Sequence, residues 1–79
     1  MGNICGLNEM GIGERAVVET LRVHGSMRRR LLDIGLIQGT NVECVGRSPL
    51  GDPAAYLIRG AVIAIRETDC RDVLVRRDS

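Results

Sequence analysis

Few residues in this sequence could do chemistry: one histidine, His24; three cysteines, Cys5, Cys44 and Cys70; and an arginine run, Arg28-Arg29-Arg30. A transition-metal site wants His, Cys or carboxylate ligands at close spacings such as C-x-x-C or H-x-x-x-H. Neither spacing occurs. His24 stands beside Gly25 at a strand–helix junction, where a surface or capping role is expected. Cys44 alternates onto an apolar face, and Cys70 precedes the last strand; both read as small core residues. No cofactor and no tight metal site is expected, and His24 and Cys44 are the only weak candidates for transition-metal binding. Asp69 and Asp72 read as a solvated turn rather than paired acids. No Ser/His/Asp pattern and no phosphate-cradling Gly-rich loop precedes a helix. The chain is not expected to be an enzyme.

The arginines raise the question of nucleic acid. All eleven basic residues are arginine, ten acidic residues oppose them, and the formal charge is +1. A dedicated nucleic-acid binder shows a larger surplus. Tyr56 is the only aromatic residue, so stacking platforms for bases are missing as well. No nucleic-acid partner is expected. On a helix, successive residues diverge by about 100°, which sends the three arginines to different faces. Met27, Leu31 and Ile34 then form one stripe, the core face. Arg29 lies opposite it, four residues from Asp33 and in reach of an ion pair. Arg28 and Arg30 flank the stripe. Leu32 falls off the stripe between Arg28 and Arg29. Either a groove of the domain buries it, or it is an apolar knob rimmed by arginine, the material of a protein-binding hot spot.

The elements that carry these residues are short. The helix is expected over about residues 26–34, with Ser26 as N-cap and Gly35 as the left-handed residue that ends it. Around it lie β-rich runs: Arg15–Val23, Thr40–Val45, Ala54–Arg59, Ala61–Arg66 and Val73–Val75. Thr40, Val42 and Cys44 share one face. The fourth and third last of these runs are separated by the turn-rich Ser48-Pro49-Leu50-Gly51-Asp52-Pro53. The runs before and after Arg59-Gly60 read as a hairpin, and residues 67–72 as one helical turn. Residues 1–79 form a single, mainly β domain with an aliphatic core. An odd cysteine number without close pairs fits reduced thiols in a cytoplasm. No apolar run reaches the roughly 20 residues of a membrane span. Gly2 with nearby Cys5 has the outline of a dual-acylation start, but position 6, where Ser or Thr is wanted, is Gly6. A frayed N-terminus is the expected reading.

In order and spacing the chain resembles the FeoA family, from about Leu7 to Val75. The marks are Leu7-x-x-Met10-x-x-Gly13 and Arg30-Leu31-Leu32-Asp33-Ile34-Gly35-Leu36. Gly39-Thr40-x-Val42, Pro49-Leu50-Gly51-Asp52-Pro53, Gly60-x-x-Ile63-Ala64-Ile65-Arg66 and Cys70-x-x-Val73-x-Val75 follow. Two turns where the family commonly has Pro-Gly read Ile12-Gly13 and Gln38-Gly39 here, and the glycine keeps the backbone permissive. The resemblance implies an SH3-like small β-barrel with the helix inserted after the first long strand. It implies a cytoplasmic accessory of bacterial ferrous iron transport that binds the cytoplasmic GTPase region of a FeoB-type transporter, without inserting in the membrane. On that footing the expected contact surfaces are Arg28, Arg29 and Leu32 on the helix, and Leu50, Gly51 and Asp52 at the hairpin tip. Alternative readings are an SH3-like domain related to metal-dependent transcriptional repressors, or a transition-metal carrier. Exposed strand edges suggest a weak homodimer.

Overall fold

The computed structural model describes residues 3–77. Six strands, β1 (Asn3–Gly6), β2 (Arg15–Leu21), β3 (Asn41–Arg47), β4 (Ala54–Ile58), β5 (Ala61–Ile65) and β6 (Val73–Arg77), form one sheet. Every pairing is antiparallel and the spatial order is β1-β6-β2-β3-β4-β5. A 3-10 turn, Leu7–Glu9, follows β1. Helix α1 (Gly25–Asp33) joins β2 to β3, and α2 (Glu67–Cys70) joins β5 to β6.

Period-two alternation puts Ala16 and Val18 of β2, Val42 and Cys44 of β3, Tyr56 and Ile58 of β4, and Val73 and Val75 of β6 into one core. The register shifts between Val18 and Thr20 and between Cys44 and Gly46, which leaves Glu19 and Val45 as extra residues. Such bulges bend a strand and raise its twist, which helps this sheet curl over an interior of small aliphatic groups. They also explain why alternation along Arg15–Leu21 is only partial. Tyr56 is the largest fully buried side chain. Its hydroxyl donates to the Leu7 carbonyl at 3.2 Å and lies 3.5 Å from the Cys70 Sγ, so the core's one phenol is satisfied.

Four expectations change. Residues 3–6 are not frayed: β1 pairs with β6 from Asn3↔Arg77 to Gly6↔Leu74. Gly2, the residue of the acylation question, lies outside the described residues. Val23 is buried beyond the end of β2 rather than within it. The helix begins one residue early, so His24 holds the N-cap position with extended backbone and no side-chain cap bond, and Ser26 sits inside the first turn. The short helix is α2, Glu67–Cys70, rather than the whole of 67–72.

Candidate partner-binding surface

Helix α1 is held at both ends. At its C-terminus the Gly35 amide bonds the Leu32 carbonyl at 3.0 Å and the Leu36 amide reaches the Leu31 carbonyl at 2.9 Å. With Gly35 at φ 93°, this is the Schellman closure that glycine permits. Thr40 Oγ1 then donates to the Gly35 carbonyl at 2.8 Å and ties the helix end to the start of β3. Near the N-terminus Arg28 Nη1 donates to the Leu21 carbonyl at 2.9 Å, anchoring α1 to the last residue of β2.

Leu31 is buried, and Met27 and Ile34 pack half-buried against the same core. Leu32 is 38 % exposed. It lines an open depression with Gly25, Arg28, Arg29 and Asp33. The domain does not bury it. The Arg29–Asp33 ion pair does not form among the described residues. Arg30 turns the other way, to a narrow cleft shared with β5 and α2. The arginine run therefore divides among three jobs: a tether, a rim and a cleft wall.

The second surface is the β3–β4 tip. The Gly51 amide bonds the Ser48 carbonyl at 2.8 Å, the Ser48 amide bonds the Pro53 carbonyl at 3.0 Å, and Ser48 Oγ donates to the Asp52 carbonyl at 2.7 Å. Gly51 sits at φ 87°. This ordered turn leaves Leu50 94 % exposed. Asp52 is exposed too, but its side chain is engaged within the domain. Its Oδ1 accepts the Glu67 amide at 2.9 Å at the start of α2. A carboxylate there satisfies an amide that has no helical partner, so Asp52 fixes the tip and Leu50 projects from it.

The thiols and the histidine stay apart. Cys44 and Cys70 are fully buried, Cys5 is half-buried and His24 is exposed. Burial pushes the Cys70 thiol up to about 11, with the Tyr56 hydrogen bond pulling the other way. Burial, then the contact with Cys70, lifts the Tyr56 phenol well above its usual range. Cys5 is raised as well, chiefly by burial. Among the described residues, no group of three His, Cys, Asp or Glu side chains converges on a common point.

Exposed apolar side chains beyond the two expected leucines are Ile4, Ile12, Ile37, Val45 and Val62. Val62 escaped sequence reading because Ala61–Ile65 is apolar throughout, so no alternation marks its outer face. No helix of the described residues is long and apolar enough to cross a membrane.

Compared with known proteins, residues 5–77 match the model of the FeoA domain. The chain is 30 % identical over 69 residues to an Fe(2+) transport protein A/Fe(2+) transporter FeoB fusion protein of Porphyromonas gingivalis, covering 87 % of the chain and 8 % of that protein. The chain thus spans a small fraction of that curated relative's length. The solution structure of a Chlorobium tepidum FeoA protein superposes with a TM-score of 0.89 at 30 % identity, covering 94 % of this chain and 70 % of that one. Stenotrophomonas maltophilia FeoA, solved with zinc and described as a prokaryotic SH3 domain protein, gives 0.78 at 28 % identity over 89 % and 87 %. A manganese-dependent transcriptional repressor gives 0.85 at 14 % identity over 99 % of this chain and 44 % of that one, a likeness of fold alone. The architecture is the expected SH3-like one.

Proposed function

This chain belongs to the FeoA domain family, whose members are accessories of ferrous iron transport, and from that premise we propose that it docks on the cytoplasmic region of a FeoB-type transporter and modulates its assembly or nucleotide cycle. The observation that carries the reading is the Porphyromonas gingivalis relative, in which a matching domain and FeoB share one polypeptide. Such a fusion holds the two parts at high effective concentration, which suits parts that work in contact. The docking surfaces are Leu32 with Arg28 and Arg29 on α1, and Leu50 with Gly51 on the tip. Both leucines are exposed, and both sit on elements fixed by hydrogen bonds at their bases.

The test is a titration of this chain into the cytoplasmic domain of the FeoB from its own source, without nucleotide and with guanine nucleotides. Saturable binding that changes with the bound nucleotide is expected. No binding in any nucleotide state would refute the reading. Titration with ferrous iron followed by NMR separates this from the carrier reading, under which stoichiometric shifts would centre on His24 or a cysteine.

A further inference from the structure

Strand β5 is unlike the other strands. All its residues are apolar, yet of Ala61–Ile65 only Ile65 is buried, and Val62 is 64 % exposed. It is also an edge of the sheet. Proteins usually blunt an edge with charge, proline or a covering element; β5 has no charge and no proline along its length. The hairpin decides which of its backbone groups point outward. Arg59 and Gly60 form a two-residue turn with φ 50° and 83°, the type I′ pattern. It closes on the Ile58↔Ala61 pair. Hydrogen-bonded and non-bonded pairs then alternate, so Ala61, Ile63 and Ile65 bond β4 while the amides and carbonyls of Val62 and Ala64 face away. Both residues are exposed. A cleft of about 110 Å³, lined by Met27, Leu31, Ile63 and Ile65 among others, separates the strand from α1.

We propose that β5 pairs antiparallel with β5 of a second copy of this chain, about a two-fold axis at Ile63. In that register Val62 of each copy lies opposite Ala64 of the other, and the outward amides and carbonyls of both residues are all bonded. Arg59 of each copy comes alongside Glu67 of the other, twice by symmetry, with both positions exposed. An axis at Val62 uses fewer of the outward groups. An axis at Ala64 requires the Arg66 carbonyl, which already accepts the Asp69 and Cys70 amides at 3.0 and 2.9 Å. The pairing is self-complementary and closes after two copies, so it covers the β5 edge of each copy without propagating along that edge. Five residues per strand make a small contact, and the dimer is weak and concentration-dependent.

Sedimentation velocity on the full chain over a wide concentration range tests this, alongside amide hydrogen exchange. A reversible monomer–dimer equilibrium is expected, with exchange at Val62 and Ala64 slowing as concentration rises. Val62→Lys, at an exposed site that leaves the fold intact, should weaken association by about tenfold or more, since an edge lysine opposes strand pairing. Glu67→Arg should weaken it as well, and Arg59→Glu in the same chain should restore it. A chain monomeric at every concentration would overturn the proposal. So would a dimer indifferent to Val62→Lys, or a charge swap that brings no recovery.

Discussion

Leu50 offers the sharpest separation of binding from folding. It is 94 % exposed, so trimming it removes almost no packing from the domain. Leu50→Ala should therefore shift unfolding free energy by no more than about 0.5 kcal/mol, as for surface positions in general. Against a partner the same side chain behaves differently. Covering a leucine contributes about 1.5–3 kcal/mol, and truncation to Ala withdraws a good part of it, roughly 1–2 kcal/mol or about 5- to 30-fold in Kd. Leu50→Asp should do more, because a carboxylate must also be desolvated. Titration calorimetry against the FeoB cytoplasmic domain reads the first quantity, and urea unfolding of the free chain reads the second. Unchanged affinity for both variants would remove the tip from the docking surface. A stability loss well above 0.5 kcal/mol, the surface-site scale, would mean that Leu50 is packed against its own domain and that the exposure argument fails.

The remaining predictions concern how the domain holds its surfaces. Asp52→Ala removes the acceptor for the Glu67 amide and should lower stability by about 1 kcal/mol, the scale of a lost helix cap, read as a smaller urea midpoint. Gly35→Ala places a Cβ at φ 93°, 2.7 Å from Arg59 Nε; the left-handed backbone costs about 1–2 kcal/mol, and the flexible arginine yields. Thermal unfolding measures it, and an unchanged Tm would refute the Schellman assignment. For pH the sign follows from Cys70, whose thiol is raised from 9.0 to about 11 in the fold. The native state holds this proton where the unfolded chain has released it. Stability from this group is complete below pH 9 and is lost as pH rises through about 11. Cys70→Ala should flatten that part of the urea-midpoint profile, although Tyr56, raised in the same way, will keep some slope above pH 10.

Much of this was legible in the residues. Gly35 announced the end of α1, the Ser48–Pro53 cluster announced the tip, and Arg59-Gly60 announced the hairpin, because each turn demands particular backbone freedom. The wheel set Leu32 off the core stripe, although a wheel alone could not say whether the domain would cover it. β1 was illegible for a physical reason. Its four residues, Asn3–Gly6, are too few for a period to show, and only pairing with β6, far away in the chain, makes them a strand. The cap failed similarly: Ser26 has the right chemistry, but with Gly25 at φ 69° the N-cap position falls two residues earlier, at His24. The bond from Asp52 to α2 depends on an element some fifteen residues on, and local sequence holds no sign of it.

What joins the two leucines of the proposed docking surfaces is the stiffness of their mounts. A binding group on a mobile loop loses rotational freedom on capture, a cost of about 0.5–1.5 kcal/mol for each side chain immobilised. Here the backbone beneath each leucine is already ordered. Arg28 and the Gly35 closure hold α1, and Ser48 and Asp52 hold the tip. In the proposed docking Arg28 has two parts, as rim beside Leu32 and as the tether that orients the helix. Arg28→Lys keeps the charge of the rim, but a lysine lacks the planar fork that reaches the Leu21 carbonyl. A loss of affinity in that variant, with net charge unchanged, would assign the arginine's effect to orientation rather than to electrostatic attraction.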